Sequence, residues 1–223
     1  GDADVDRDAV VVATKGGFVP FDGERPADPG RYVRERFVDA GLCGEDDLAH
    51  GSHALAPAFV DALVDRSLSN LGVDCIDCYY LHNPETQLAV RSRSAVYDAI
   101  EAAFRRLERR VAAGEIGSYG VATWDAFRVP EDHESYLSLP EVVRQADRAA
   151  DEVGNDEPAL SAVQLPFNVR MADAFTVEAH EGQSALAFAR EAGLDVFTSA
   201  SLGQGALARP DAIPPAVAAE LPG

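Results

Sequence analysis

Short apolar segments alternate along the chain with longer segments in which apolar residues recur every three or four positions. The short segments are rich in valine, isoleucine, tyrosine and leucine and are too brief for a stable helix, so they predict β-strands. Their lack of apolar and polar alternation predicts burial on both faces, as in a parallel sheet. These segments comprise residues 9–14, 75–81, 117–122, 160–165 and 194–198.

The intervening segments each predict an amphipathic helix with one apolar face. Pro57 stands at a first helical position, and a glycine that favours a helix end follows each helix. The predicted helices cover residues 57–71, 96–111, 142–153 and 184–192, and the glycines are Gly72, Gly114, Gly154 and Gly193. Residues 16–57 form a Gly/Pro/Asp-rich connection with a short helix predicted at 30–40, and its length indicates either a functional or a mobile excursion.

Strictly alternating strands and helices predict a parallel sheet. The strand ends at His82, Thr123, Gln164 and Gly203 recur about every 40 residues, which favours a (β/α)8 TIM barrel over a doubly wound sheet, since no GxGxxG motif follows any strand. A complete barrel at this spacing needs roughly 320 residues. We therefore expect a single domain over residues 1–223 that is an incomplete barrel of about five units, lacking N-terminal and C-terminal units of a longer protein. The proline-rich residues 210–223 are predicted to form a loop.

Composition narrows the classes of partner. The chain has 38 Asp and Glu residues against 19 Lys and Arg residues, a formal net charge of −19. Such a charge repels nucleic acid and anionic membranes, so neither is an expected partner. No apolar run is long enough to cross a bilayer and no signal-peptide pattern is present, which indicates a cytoplasmic protein. The 3 cysteines do not suggest a disulfide framework.

Lys15 is the single lysine of the chain, and every other basic residue is arginine. Abundant aspartate with scarce lysine suggests adaptation to high cytosolic salt, and a genomic bias toward arginine codons is the alternative explanation. Under either explanation, a lysine kept where all others are arginine favours a chemical role for it.

Several polar side chains stand at the carboxyl ends of the predicted strands. In a parallel barrel these ends meet at one mouth, where ligands and catalytic groups collect. The mouth would combine Lys15, His82, Thr123 and Gln164 with the loop at residues 199–205. The glycines of LGQG at residues 202–205 can offer backbone amides to a phosphate.

Five motifs resemble successive strand motifs of the aldo/keto reductases, in order and over most of the chain. They are VVVATKGG at residues 10–17, SLSNLGVDCIDCYYLHNPE at 67–85, GEIGSYGVATW at 114–124, AVQLPFN at 162–168 and SLGQGAL at 201–207. The resemblance implies reduction of an aldehyde or ketone by hydride from a nicotinamide, usually NADPH, with a tyrosine protonating the carbonyl oxygen. It makes Lys15 the lysine that, with an aspartate, lowers the tyrosine pKa, and His82 the histidine that orients the carbonyl.

The resemblance also assigns cofactor contacts and marks departures. It places the aspartate and tyrosine upstream of Gly1, so the given chain lacks them, and it places the segment that reads the adenosine 2′-phosphate beyond Gly223, which leaves NADH open. Thr123 and Gln164 match the carboxamide partners. Ser199 replaces the tyrosine that usually stacks on the nicotinamide, so the stacking either comes from Trp124 or Phe167 or is weaker. Phosphate contacts fall to Leu202, Gly203 and Gly205.

Two other functions stay open on the residues alone. The first is a nicotinamide-binding barrel that regulates or binds without turnover. The second, weaker, is a metal-dependent barrel hydrolase using the loop residues Cys43, Glu45, Asp46, Asp47, His50 and His53. His133 and His180 lie in polar surroundings and are expected at the surface, and the CxxC of Cys75 and Cys78 is expected to have no redox or metal role. The sequence does not specify the small-molecule substrate, because specificity resides in variable loops. It does not specify the oligomeric state either.

Overall fold

The computed structural model describes residues 6–209. Its strands form one parallel sheet in the order β1-β2-β3-β4-β5, each strand pairing with its neighbours along the chain. The sheet is open in the part of the chain described, with β1 and β5 as its edges. This confirms the predicted α/β class and agrees with an incomplete barrel. The strands are β1 (Ala13–Gly16), β2 (Ile76–His82), β3 (Ile116–Ala122), β4 (Leu160–Pro166) and β5 (Asp195–Ser199).

Helices connect the strands where the sequence predicts them, and their ends follow local chemistry. Gly72 and Gly154 end their helices in the left-handed conformation, which glycine adopts at little cost. Ser92 and Ser138 begin theirs by accepting a backbone N–H in the first turn. The helices are α1 (Pro29–Val33), α2 (Pro57–Leu71), α3 (Arg93–Ala112), α4 (Leu139–Val153), α5 (Asp173–Thr176) and α6 (Ala185–Glu191), with a π-helix at Arg34–Val38 and 3-10 turns at Arg7–Ala9, Glu45–Asp47, Pro84–Ala89 and Ala206–Ala208.

The register divides the sheet into two faces. Leu81, Val121 and Val163 lie side by side on one face and are fully buried against the helices in the main core. On the other face, Cys78, Tyr80, Ala122 and Ala162 form a second, small apolar cluster. Because partners in a parallel register point the same way, this second face also carries the polar groups at the strand ends.

The first strand is shorter than predicted. Residues 9–14 were expected to be a buried strand, but β1 begins at Ala13, and Val10 and Val11 are 42% and 74% exposed. The carboxylate of Asp77 explains the start of pairing, since its Oδ2 accepts the Val12 N–H at 2.6 Å and an Arg7 N–H at 2.8 Å. The segment before β1 is therefore held by the Asp77 side chain and not by strand pairing alone.

The long connection between β1 and α2 is an ordered unit with its own core. Its apolar side chains pack against one face of α2, and they include Val19, Val33, Phe37, Cys43 and Ala54, with Phe59 and Leu63 from the helix. The segment then returns antiparallel to its own beginning, as the Val19 N–H donates to the Ser52 carbonyl at 2.7 Å and the Ala54 N–H to the Gly17 carbonyl at 2.9 Å. This path brings His53 to the end of β1.

Within residues 6–209 no helix combines the length and the apolar character that crossing a bilayer requires.

Candidate active site

A cavity of about 380 Å³ lies at the carboxyl ends of the strands. Three residues predicted to share the barrel mouth, Lys15, His82 and Gln164, line it together with Tyr80. Each comes from a different strand of the sheet, β1, β2 or β4. The fold thus brings together side chains that are far apart in the sequence: His82 is 67 residues after Lys15, and Gln164 is 149 residues after Lys15. A lysine, a histidine and an amide converging on one hollow form a site suited to binding and polarising a carbonyl group.

The charge of Lys15 acts on His82. Burial, together with the positive charge of Lys15, lowers the pKa of the half-buried His82 to about 4. Partial burial also lowers the pKa of the Lys15 ammonium, which lies on the edge strand. At neutral pH the imidazole of His82 is therefore uncharged, so one ring nitrogen can donate a hydrogen bond and the other can accept one.

Thr123 directly follows β3 and is 4% exposed. Its backbone N–H donates to the Gln164 carbonyl at 2.8 Å, which ties the ends of β3 and β4 together. Its Oγ1 is buried and has no hydrogen-bond partner among residues 6–209. A buried hydroxyl without a partner is unfavourable unless a ligand supplies one. Gln164 lines the cavity around Lys15, whereas Thr123 lies beside it in the sheet and is not part of that lining.

Comparison with known proteins identifies the family. The family model described as the Aldo/keto reductase family matches residues 1–218. The chain belongs to the aldo/keto reductase family.

A solved structure gives the same fold. The chain is similar to an aldo-keto reductase from Bacillus halodurans in its holo form, with 17% identity, a TM-score of 0.53 and coverage of 94% of this chain and 48% of that one. It is also similar to an aldo/keto reductase from Brucella melitensis, with 15% identity, a TM-score of 0.44 and coverage of 91% and 51%. The chain therefore spans about half the length of these two solved structures.

The loop after β5 in this aldo/keto reductase chain is folded on itself. Ser199 ends the strand, and Gly203 and Gly205 both have positive φ angles. Their N–H groups donate within the loop, Gly203 to the Ala200 carbonyl at 2.6 Å and Gly205 to the Leu202 carbonyl at 3.0 Å. Leu202 is exposed, and these loop residues are not part of the lining of the cavity around Lys15. Phosphate binding by the loop stays a prediction. To bind a phosphate, the N–H groups of Gly203 and Gly205 would have to give up their hydrogen bonds to the Ala200 and Leu202 carbonyls.

Two aromatic residues lie on the same face of the sheet as His82 and Gln164 but were not among the predicted site residues. Tyr80 is the register partner of Lys15, and Phe197 is the register partner of Gln164, with the two rings 6.2 Å apart. Side chains two positions apart on a strand point to the same face. Tyr80 is two positions before His82, so this alternation predicts that it shares the face of His82. Phe197 is 45% exposed, and it places an aromatic ring next to Tyr80 on the face that carries Gln164. Burial raises the pKa of the Tyr80 phenol, which makes it a weak acid near neutral pH.

A second cavity, of about 620 Å³, lies beyond His82 and includes Phe18, Glu85 and Trp124 in its lining. Glu85 is buried, and its Oε1 accepts the backbone N–H groups of Trp124 at 2.7 Å and Asp125 at 3.2 Å. Burial raises the pKa of its carboxyl group. Glu85 thereby joins the turn after β2 to the turn after β3.

His180 contradicts the predicted surface position. It is fully buried, its Nε2–H donates to the Phe127 carbonyl at 2.9 Å, and its Nδ1 accepts the Leu139 N–H at 3.3 Å. Burial lowers its pKa. His133 is partly buried. The segment around His180 returns over the core from α5 to α6, a path that polar neighbours in sequence do not reveal.

The loop residues named for a metal site do not assemble into one. Among residues 6–209 no group of three or more His, Cys, Asp or Glu side chains is arranged to hold a metal ion. Cys43 lies in the apolar core of the long connection, and His53 is fully buried in a hydrogen-bonded network. All 3 cysteines, Cys43, Cys75 and Cys78, are free thiols.

Proposed function

We propose that this chain carries the lysine and histidine of a site that reduces an aldehyde or ketone to an alcohol with NADPH, with NADH as the alternative cofactor. The observation that carries the proposal is the convergence of Lys15, His82 and Gln164 on one cavity. Family membership supports the same class of chemistry. The partner we propose is a small carbonyl compound.

The cofactor, when bound, supplies a hydride from its nicotinamide ring. Thr123 and Gln164 are proposed to hold the carboxamide of that ring, because the Thr123 hydroxyl is buried without a partner and Gln164 lines the cavity. Phe197 is proposed as an apolar wall beside it, in the place of the missing tyrosine ring at Ser199. Leu202, Gly203 and Gly205 are proposed for the phosphates.

His82 is proposed to orient the substrate. Its uncharged ring can donate one N–H to the carbonyl oxygen, and this bond strengthens as that oxygen becomes negative during hydride transfer to the carbonyl carbon. The Lys15 ammonium stabilises the same developing charge and favours ionisation of a nearby proton donor. We do not assign the proton to Tyr80, because burial raises its pKa.

Replacing Lys15 tests the proposal. NADPH oxidation is followed with a panel of aldehydes and ketones for the wild type, Lys15→Met and Lys15→Arg, and cofactor affinity is measured separately by calorimetry. We expect Lys15→Met to lower kcat/KM by about a hundredfold or more with little change in cofactor affinity, because it removes charge stabilisation that the transition state needs most. Lys15→Arg retains charge and should fall between the two. Equal rates for wild type and Lys15→Met would rule out the role given to Lys15.

Binding without turnover is the second candidate. It is favoured by Ser199 at the stacking position and by the raised pKa of Tyr80, the tyrosine that lines the cavity. The same experiment separates the two functions. Micromolar NADPH affinity in a wild type that turns over no carbonyl compound would support a regulatory or binding role and contradict the reductase.

A further inference from the structure

We propose that His53 is a positioning residue for His82, holding the backbone of the proposed carbonyl-orienting histidine through a hydrogen bond, and that Gln87 in turn holds the His53 ring. The inference rests on the proposed function for its catalytic consequence. The contact itself lies outside the lining of the cavity around Lys15 and His82.

The hydrogen bonds define a chain of three residues. His53 Nε2 lies 2.8 Å from the His82 carbonyl oxygen, which can only accept, so the proton is on Nε2. Gln87 Nε2 lies 3.0 Å from His53 Nδ1 and donates to it, and it also donates to the His53 carbonyl at 2.8 Å. Both ring nitrogens are therefore satisfied in one orientation and one tautomer. A histidine fixed at both nitrogens is a rigid support.

Burial keeps this support uncharged. His53 is fully buried, and burial lowers its pKa to about 4. The hydrogen bond to the His82 carbonyl raises the pKa and partly offsets the effect of burial, while electrostatic repulsion from the neighbouring imidazoles of His82 and His50 lowers it. The neutral tautomer described above therefore persists across the pH range in which a reductase would be assayed.

Gly17 leaves the room that the contact needs. A Cβ atom at this position would lie 2.8 Å from the His82 carbonyl oxygen and 3.0 Å from His53 Nε2, and the residue has a φ angle of +143°. A side chain here would therefore press on the two atoms that form the hydrogen bond. The second glycine after Lys15 thus lets three separate segments meet behind His82.

Phe18 packs against the rings of both His53 and His82. Its ring lies edge-on to the His53 ring at 4.7 Å and to the His82 ring at 5.2 Å. His53 holds the His82 carbonyl group and Phe18 packs against the His82 ring, so both the backbone and the side chain of His82 are restrained. A small displacement of an orienting group costs rate because reaction depends on near-attack geometry.

His180 provides a matched control for His53. It is equally buried, donates from Nε2 to a backbone carbonyl and accepts at Nδ1, yet it lies between Phe127 and Leu139 and does not contact His82. A purely structural role for His53 predicts that the two histidines have the same effect on function. A positioning role predicts that only His53 affects His82.

The kinetic experiment compares His53→Phe, His53→Gln and His180→Phe in the whole protein. His53→Phe keeps a ring but loses both bonds, and we expect kcat to fall about tenfold or more with the KM for cofactor unchanged within about twofold. His53→Gln retains a donor and an acceptor and should recover most of the rate. His180→Phe should lower stability while leaving kcat near the wild-type value. Equal kcat losses in His53→Phe and His180→Phe would overturn the proposal, as would an unchanged kcat in His53→Phe.

A second readout does not need turnover. Histidine-labelled protein is titrated by NMR, and the His82 ring in the wild type is expected to titrate near its pKa of about 4. In His53→Phe it should move toward the ordinary value of 6.5, because the released segment gives the ring access to water. His53→Gln and His180→Phe should leave it in place. If the wild type reduces no carbonyl compound, the proposed function fails, while an unchanged His82 titration in His53→Phe overturns the positioning role. Should His53→Phe fail to fold, Gln87→Met replaces it in both measurements with a smaller expected shift in the same direction, and no shift overturns the role.

Discussion

His53 and His180 show how little a histidine's neighbours in sequence say about its surroundings. His180 lies in a polar stretch and His53 lies between a polar and an apolar one, yet both are fully buried with each ring nitrogen bonded. For His82 and Lys15 the local sequence was a better guide, because each stands at the end of an apolar strand segment. The pKa of His82 nevertheless depends on burial and on the charge of Lys15, which are properties of the assembled sheet.

The buried histidines make stability depend on pH. His53 has a pKa of about 4 in the folded protein and about 6.5 in the unfolded protein. Between these pH values His53 is therefore protonated in the unfolded chain and uncharged in the folded one. Stability from this group is complete above about pH 6.5 and is lost as the pH falls toward 4. His53→Gln lacks the group, so we expect the difference in unfolding free energy between wild type and variant to change by as much as about 3 kcal/mol across this window.

Urea unfolding of both proteins at a series of pH values measures this effect. His82 and His180 contribute in the same direction in both proteins, since burial lowers both pKa values, and their contributions cancel in the comparison. If the unfolding free energies of wild type and His53→Gln change in parallel with pH, His53 has the same pKa in the folded and the unfolded protein, which would contradict the prediction.

At the scale of elements, turns after neighbouring strands are tied to each other as firmly as the strands are. The Asn83 N–H donates to the Ala122 carbonyl at 2.6 Å, and the Thr123 N–H donates to the Gln164 carbonyl. Glu85 adds a side-chain link from the turn after β2 to the turn after β3. These links set the spacing of His82, Thr123 and Gln164 where each leaves its strand.

Glu85→Ala should loosen the turn after β3. The substitution leaves the Trp124 and Asp125 N–H groups without their acceptor, which should cost about 1 to 3 kcal/mol of stability and speed hydrogen exchange at both amides. The control is Glu134→Ala, which removes an exposed carboxylate from the lining of the same cavity. Exchange that is as slow in Glu85→Ala as in the control would contradict the linking role. Trp124 is the single tryptophan of the chain, so its fluorescence reports the same change.

At the scale of the whole molecule, acidic charge dominates. The formal net charge is −19, and arginines form many of their ion pairs at partly exposed positions, as Arg110 does with Asp61, Asp65 and Glu115. Exposed pairs of this kind contribute little individually. The remaining excess of carboxylates repels itself and opposes the compact state, which salt screens.

Stability should therefore rise with salt. Between about 0.1 M and 2 M KCl we expect the Tm to increase by several degrees or more, because the Debye length falls from about 10 Å to about 2 Å and the repulsion between carboxylates is screened. Differential scanning fluorimetry over this range measures the change. A Tm that is constant or lower at high salt would contradict both the screening argument and the proposed adaptation to salt. The carbonyl reduction assay should follow the same salt dependence.

Local sequence patterns alone predict the order of strands and helices, the helix ends at Gly72 and Gly154, and the positions of Lys15 and His82 at strand ends. These features follow from apolar periodicity and from backbone preferences that act over a few residues. Two further features follow from the folded protein: β1 starts at Ala13, where the Asp77 carboxylate accepts the preceding N–H, and His53 forms a hydrogen bond to the His82 carbonyl. Both depend on contacts between segments far apart in the chain, whose energies are set by burial and geometry that no local pattern encodes.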